Sequence, residues 1–90
     1  MNVEISRAFV KDSKILPKRI KLVIYALIQE IQSEAVETPF DIRECSKMKG
    51  SGKLYKIRRG TYRITFEYTE KKAVLKRVLP RGQIYKKQNF

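Results

Sequence analysis

Three cations occupy polar positions in an alternating apolar and polar pattern between residues 53 and 67, and they could together hold a phosphate group. Lys56 and Arg58 are separated by one apolar residue, and Arg63 follows just beyond Gly60. Apolar and polar residues alternate on both sides of Gly60, which is the pattern of two half-buried strands joined by a tight turn. Pairing of the apolar faces would bring the three cations to one face of this hairpin. Like charges side by side on a sheet repel, so we expect an anion to bind there.

The distribution of charge supports a polyanionic ligand. The 90 residues carry a net charge of +12, from 21 Lys and Arg against 9 Asp and Glu. Residues 1–42 contain six basic and six acidic side chains, whereas residues 43–90 contain fifteen basic and three acidic ones. A positive field of this kind attracts and holds nucleic acids. The alternative is a solubilising surface, but solubility does not require the excess charge to lie on one half of the chain.

Other chemistries find little support in the sequence. Cys45 has no second cysteine for a disulfide, which fits a reducing cytoplasm, and the chain has no histidine to activate it as a nucleophile. No metal or cofactor is predicted. The longest uncharged run, from Leu22 to Gln29, is far shorter than the ~20 residues of a membrane span. Since no apolar run near Met1 resembles a signal peptide, we expect a soluble cytoplasmic protein.

The first part of the chain predicts a strand and two helices within one domain, residues 1–90. Val3 to Ile5 is a plausible short strand. Ser6 is a candidate N-cap for a first helix over about Arg7 to Ile15. Pro17 suits the first turn of a second helix, because its missing N–H would have no partner there.

The second helix is the clearest element in the sequence. Its apolar residues follow the i, i+3, i+4, i+7 spacing of a helix that packs one face on a core: Ile20, Val23, Ile24, Leu27, Ile28 and Ile31. Leu22 and Tyr25 flank this stripe and either widen the core or offer a partner an apolar surface. Pro39 prevents any continuation of the helix, and Phe40 to Lys49 is predicted to be a connector with a helical turn.

The hairpin is followed by a turn at Glu70 to Lys72 and by a strand over Ala73 to Leu79, which Pro80 ends. A last short strand is predicted over Gln83 to Lys86. The order β-α-α-β-β-β with short turns predicts an α+β fold, in which two helices cover one face of a small antiparallel sheet. The open face would carry the three cations of the hairpin.

Several segments together resemble the RelE/ParE toxin superfamily over nearly the whole chain. They are Lys49-Gly50, Leu54 to Arg58, Gly60 to Ile64, Arg81, and Ile84-Tyr85. The resemblance implies a RelE-like fold and the toxin of a type II toxin–antitoxin pair, with a RelB-like antitoxin whose toxin-binding segment is acidic. Members of the RelE branch enter the decoding site of the ribosome and cut mRNA there, so the resemblance implies an endoribonuclease.

Carried over by position, the resemblance implies a catalytic set of Lys56, Arg58, Arg63, Arg81 and Tyr85. The second basic position of the hairpin is often lysine in the RelE branch, and here it is Arg58. Lys53, Arg59 and Lys86 are further cations close to this set in the sequence, and they are predicted to bind RNA phosphates.

These residue types can support cleavage by attack of the RNA 2′-OH on the adjacent phosphate, which requires proton removal and stabilisation of negative charge. Lys56 is the candidate base, because cationic neighbours disfavour its charged form, whereas guanidinium stays protonated. Arg58 and Arg63 would clamp phosphate oxygens. Arg81 would stabilise the leaving oxygen. Tyr85 would stack on a base or orient the hydroxyl.

Alternatives remain open for the residues and for the function. Lys56 and Arg58 could be the solvated face of a hairpin, Arg63 could pair with Glu67, and Tyr85 could cap the core. A ParE-like poison of DNA gyrase would share the fold without needing nucleolytic residues. A basic RNA-binding module without catalytic activity would bind RNA in a salt-sensitive way.

Overall fold

A computed structural model describes residues 1–50 and 52–84, and these form an α+β structure, as the sequence predicted. In chain order the elements are β1 (Asn2–Ile5), α1 (Arg7–Lys14), α2 (Lys18–Gln32), a 3-10 turn (Pro39–Asp41), β2 (Cys45–Lys47), β3 (Leu54–Arg59), β4 (Tyr62–Thr69) and β5 (Lys72–Pro80). Within the described residues, the structure has no helix with the length and apolarity to cross a bilayer.

The strands form one sheet in the order β1-β5-β4-β3-β2. The antiparallel meander of β3, β4 and β5 is confirmed. The sheet as a whole is mixed, because β1 pairs with β5 in the parallel direction across a connection that contains both helices. The connector predicted over Phe40 to Lys49 contains the expected helical turn and also the short strand β2, which pairs with β3 and was not predicted.

Two tight turns set the register of the meander. Gly60 has φ of 59°, the left-handed conformation that the turn between β3 and β4 requires. The turn between β4 and β5 places Glu70 and Lys71 at φ of 49° and 62°. Two consecutive positive φ values match the twist of a two-residue hairpin, although non-glycine residues rarely adopt them.

The helices cover one face of the sheet and form the core with it. Ile57, Ile64 and Phe66 are completely buried on that face. The stripe on α2 meets them through its most buried members: Ile24, Leu27 and Ile31. Leu22 and Tyr25 stay 61% and 62% exposed, so of the two sequence-based alternatives the structure supports an accessible apolar surface.

The start of α1 is fixed to the sheet by Ser6. The Ser6 Oγ accepts a hydrogen bond of 3.2 Å from the backbone N–H of Phe9, which confirms the predicted N-cap. The same hydroxyl donates to the carbonyl of Lys76 at 2.9 Å. Phe9 is 2% exposed and brings α1 into the core.

Asp12 attaches α1 to the part of β5 beyond Leu75, where the pairing with β1 has ended. Its carboxylate accepts from Arg77 Nε at 2.7 Å, from Arg77 NH2 at 2.9 Å and from the backbone N–H of Val78 at 3.0 Å. A bulge at Lys76 shifts the register here. Thr65 of β4 pairs with Arg77, whereas the following residue, Phe66, pairs with Leu75. Arg77 is thus a β5 cation that contacts a helix.

After Pro80 the described chain ends in a turn. Gln83 donates its backbone N–H to the carbonyl of Pro80 at 2.9 Å, and Ile84 is completely buried. Gln83 and Ile84 therefore do not form the first half of the predicted last strand. Its second half, Tyr85 and Lys86, lies outside the described residues.

We expect Asp12→Asn to destabilise the protein strongly. Asp12 is 8% exposed, and its carboxylate accepts three hydrogen bonds, two of them from the charged Arg77. Loss of the carboxylate charge weakens them, at a cost of about 3 kcal/mol in the free energy of unfolding. Urea denaturation measures this loss. The matched control is Glu4→Gln, because Glu4 pairs with Lys72 at 3.1 Å on the surface. That change should cost less than about 0.5 kcal/mol, and equal losses in the two variants would contradict the role given to Asp12.

Candidate functional site

A cavity of about 500 Å³ lies on the face of the sheet opposite the helices. Its lining is strongly basic and consists of Glu44, Cys45, Ser46, Lys56, Arg58, Arg63 and Arg81. The structure therefore brings together four of the five residues predicted as catalytic. The fifth, Tyr85, lies outside the described residues.

The pairing of β3 with β4 brings the hairpin cations together. Arg58 and Arg63 are directly opposed across the two strands, and Lys56 is opposite Thr65 on the same face. Arg81 arrives from the end of β5, where its backbone N–H donates to the carbonyl of Thr61 at 2.7 Å. Two cations on β3, one on β4 and one just after β5 thus line one cavity.

Arg63 is held against the hairpin turn by backbone carbonyls. Its NH1 group donates to the carbonyl oxygens of Gly60 and Tyr62, both at 3.0 Å. The guanidinium is therefore engaged by the turn, and the alternative pairing with Glu67 is not the contact that the structure shows. A side chain fixed in this way loses less freedom when it binds an anion.

Arg58 is held by a residue that sequence reasoning missed. Its Nε donates to Glu44 Oε1 at 2.9 Å, and its NH2 group donates to the same oxygen. The hydrogen bond from Arg58, and to a lesser degree its charge, hold the pKa of the Glu44 carboxyl below its usual value. Fourteen residues separate the two, and only the pairing of β2 with β3 brings them together, so the sequence carries no local signal for this contact.

Arg59 corrects the sequence prediction, which had counted it among the RNA-binding cations. It lies on the helix-covered face of β3, and its side chain is 7% exposed. Its NH1 group donates to the carbonyl oxygens of Arg43 and Arg58, both at 2.8 Å, and its NH2 group lies 3.9 Å from Glu30. Burial lowers the pKa of Arg59 from its usual value. Its contacts tie the chain before β2 to β3.

The other two cations assigned to RNA binding are Lys53 and Lys86. Lys53 is exposed just before β3 and does not line the cavity, and Lys86 lies outside the described residues. Among residues 1–50 and 52–84 no group of three His, Cys, Asp or Glu side chains could hold a metal ion. The cavity therefore offers phosphate-binding cations and one carboxylate.

Comparison with known proteins identifies relatives of nearly the same length. Toxin RelE3 from Methanocaldococcus jannaschii is 35% identical over 85 residues, which cover 94% of this chain and 96% of the relative. The toxin in a RelB–RelE antitoxin–toxin complex from Methanococcus jannaschii superposes with a TM-score of 0.80 at 32% identity, over 93% of this chain and 96% of that one. An archaeal RelE–RelB complex from Pyrococcus horikoshii OT3 gives a TM-score of 0.69 at 27% identity, over 91% and 96%.

Fold and cavity together define a RelE-like toxin domain. No protein-family model matches the chain, but the full-length similarity to a curated toxin is sufficient for assignment. The chain belongs to the RelE toxin family of type II toxin–antitoxin systems.

We expect Cys45 to be chemically inert despite lining the cavity. Burial raises the pKa of its thiol to about 11, against a smaller opposing effect of Arg59. Because the thiolate is the reactive form, alkylation by iodoacetamide at pH 8 should be about a hundredfold slower than that of a free cysteine. The rate should rise to the free-cysteine value in 6 M guanidinium chloride, which removes the burial. Fast alkylation of the folded protein would contradict this environment.

Proposed function

We propose that this protein is the toxin of a type II toxin–antitoxin pair and acts in the cytoplasm as an endoribonuclease on ribosome-bound mRNA. The observation that carries the proposal is the convergence of Lys56, Arg58, Arg63 and Arg81 on one open cavity. The RelE toxins among its relatives support the toxin assignment.

The arginines of the cavity are suited to a phosphodiester. Arg58 and Arg63 are opposed across neighbouring strands, and both line the same cavity. Guanidinium binds phosphate oxygens through paired N–H donors, and such charge-assisted hydrogen bonds are about twice as strong as neutral ones. Two fixed arginines would therefore orient the scissile phosphate and stabilise the negative charge that develops on it during attack.

Among the four cations of the cavity, the three arginines stay protonated, so Lys56 is the one that can serve as the base, as the sequence predicted. Arg81 stabilises charge on the leaving 5′-oxygen. Tyr85, as the sequence predicted, stacks on a base or orients the attacking 2′-OH.

A lysine base in a shallow open site gives slow cleavage of free RNA, because the substrate is poorly oriented. Holding reactants in an aligned geometry supplies about 7–11 kcal/mol of the barrier in favourable cases. The decoding site of the ribosome would hold the message in such a geometry. This supports mRNA on the ribosome as the substrate rather than RNA in solution.

The cluster of cations favours this function over the two alternatives. A ParE-like gyrase poison acts by binding protein and needs no cavity lined by four cations. A non-catalytic RNA-binding module needs basic charge over a surface but not directly opposed arginines, which repel in the absence of an anion.

Alanine substitution of Lys56, Arg63 or Arg81 should each lower the rate of mRNA cleavage about a hundredfold or more, as expected for the loss of one group that stabilises developing charge. Primer extension on mRNA, from cells or from ribosomes with purified protein, measures the cuts, which should be phased with codons. Lys11→Ala is the control, because Lys11 is exposed on α1 outside the cavity.

Other outcomes would contradict the proposal. Double-strand DNA breaks with intact mRNA would indicate a gyrase poison. Salt-sensitive RNA binding with unaffected growth would indicate a module without activity. Unchanged cleavage in all three cavity variants would exclude this cavity as the active site.

The antitoxin partner would dock on the helix side. A groove of about 320 Å³ runs between α1 and α2 and has a mostly apolar lining of Ile5, Phe9, Val10, Ser13, Lys14, Lys21, Ile24, Tyr25 and Ile28. Leu22 lies beside it and is exposed. Lysines beside exposed apolar side chains suit an acidic amphipathic segment that folds on binding, in agreement with the sequence-based expectation at Leu22 and Tyr25. The basic face of the sheet is the second expected docking surface.

Tyr25→Asp should weaken antitoxin binding at least about thirtyfold, because a buried aromatic anchor contributes about 2 kcal/mol or more to an interface. Isothermal titration with the purified antitoxin measures the affinity. Ile15→Asp is the matched control, since Ile15 is apolar and 85% exposed but does not line the groove. Both variants should unfold at the same urea concentration as the parent. Equal affinities for Tyr25→Asp and the parent would place the interface elsewhere.

A further inference from the structure

Glu44 is the one carboxylate among the described residues that line the basic cavity. Its side chain is 32% exposed and lies between two arginines, with Oε1 bound to Arg58 and Oε2 at 3.3 Å from Arg43 NH1. A carboxylate in a site that binds phosphate needs an explanation, because it lowers the local positive charge and so weakens the attraction for RNA.

The backbone around Glu44 is fixed in an uncommon conformation. Glu44 has φ of 56°, in the left-handed region that non-glycine residues rarely occupy. Two hydrogen bonds from β3 hold the segment: Arg58 N–H donates to the Glu44 carbonyl at 3.1 Å, and Arg59 NH1 donates to the Arg43 carbonyl at 2.8 Å. The buried Arg59 thus supports the chain segment whose carboxylate reaches Arg58.

The contact uses only one edge of the Arg58 guanidinium. Glu44 Oε1 accepts from Nε and NH2, and a guanidinium carries five N–H donors in all. The edge formed by NH1 and NH2 retains a pair of roughly parallel donors, which is the geometry that matches two phosphate oxygens. The ion pair therefore orients the arginine without occupying the edge that would bind the substrate.

We propose that Glu44 is a positioning residue that holds Arg58 with its NH1–NH2 edge available to the scissile phosphate. This inference rests on the proposed function, since it assigns Glu44 a role in the same site. Without Glu44, the directly opposed Arg63 repels Arg58. The Arg58 side chain is 61% exposed, so it would then move into solvent.

Two other roles for Glu44 fit the structure less well. As a general base it is disfavoured, because the contact with Arg58 lowers its pKa and makes the carboxylate a weaker proton acceptor. As a competitor of the substrate it would have to leave Arg58 without paired donors for a phosphate, whereas the NH1–NH2 edge keeps such a pair. Each of the three roles predicts a different combination of RNA affinity and cleavage rate.

The test measures both quantities on Glu44→Ala and Glu44→Gln. We expect the single-turnover cleavage rate of ribosome-bound mRNA to fall about tenfold in Glu44→Ala, because the phosphate clamp loses its fixed orientation. Glu44→Gln keeps one acceptor and should lose less. Affinity for a short single-stranded RNA, measured by fluorescence anisotropy, should stay equal or rise about threefold, since a negative charge has been removed. Glu67→Gln, on the same face outside the cavity, should change neither quantity by more than about twofold.

A double-mutant cycle then asks whether Glu44 acts through Arg58. In the background of Arg58→Ala, replacement of Glu44 should change the cleavage rate less than about twofold, because the residue it positions is already absent. A further tenfold loss in that background would overturn the proposal and favour a base. Faster cleavage together with tighter RNA binding would overturn it in favour of a competitor. Weaker binding together with slower cleavage and a lower urea midpoint would indicate a purely structural role.

An independent measurement separates this inference from the proposed function. The Nε–H signal of Arg58 in a ¹H–¹⁵N NMR spectrum should be resolved in the parent protein, because a held guanidinium exchanges slowly with water, and it should be lost in Glu44→Ala. If the parent protein cuts no mRNA but shows this difference, the proposed function fails and the positioning contact stands. If cleavage is confirmed and both the Arg58 signal and the rates are unchanged in Glu44→Ala, only the inference fails. Should Glu44→Ala not fold, Glu44→Gln with its near-identical shape carries the same comparisons.

Discussion

The structure depends on a sheet that is buried on one face only. Strand residues alternate between faces, so β3 and β4 place Ile57, Ile64 and Phe66 against the helices and direct Lys56, Arg58 and Arg63 to the other side. Full burial of each such apolar side chain contributes about 1.5–3 kcal/mol. Like charges directly opposed on a sheet cost about 0.2–1 kcal/mol per pair. The core therefore stabilises the hairpin by more than the cation cluster destabilises it.

The same alternation explains why the cluster can be both stable and ready to bind. The cations remain in contact with water on the open face, where their repulsion is screened, and they are not required to pay for burial in an apolar interior. The two opposed arginines of the cluster are also held in place, Arg63 by the carbonyls of Gly60 and Tyr62 and Arg58 by Glu44. An anion that enters the cavity meets donors whose positions are set before it arrives, so little ordering remains to be done on binding.

Much of this could be predicted from the sequence, because the signals were local and periodic. The apolar stripe of α2 and the alternation around Gly60 gave the main helix and the hairpin with the correct faces. The strand Cys45–Lys47 was missed because it has three residues and only one partly buried side chain, Cys45, to mark it. It exists through pairing with β3, a contact that no property of its own residues indicates. The parallel pairing of β1 was missed for a related reason, since its partner is distant along the chain.

The functional residues show the same difference between local signals and contacts that depend on the fold. Lys56, Arg58 and Arg63 were found because their spacing follows the strand period, and Arg59 was misassigned although that same period places it with Tyr55 and Ile57 on the covered face. Here the sequence held the information and the basic character of the segment obscured it. Glu44 is different, because its position depends on a left-handed residue and on hydrogen bonds to β3, and neither is visible in the order of amino acids.

The separation of the two candidate surfaces constrains how a partner could neutralise the site. The groove between α1 and α2 lies on the helix side, and the basic cavity lies on the opposite face of the sheet. A segment seated only in the groove leaves the cavity accessible, because the sheet itself stands between them. Neutralisation from that position therefore requires one of two arrangements. Either the partner extends around an edge of the sheet to the cations, or its bulk keeps the toxin out of the ribosomal site that is proposed to hold the mRNA. A partner with enough acidic residues to reach the open face would also offset the repulsion between the opposed arginines, and so stabilise the toxin as it blocks it.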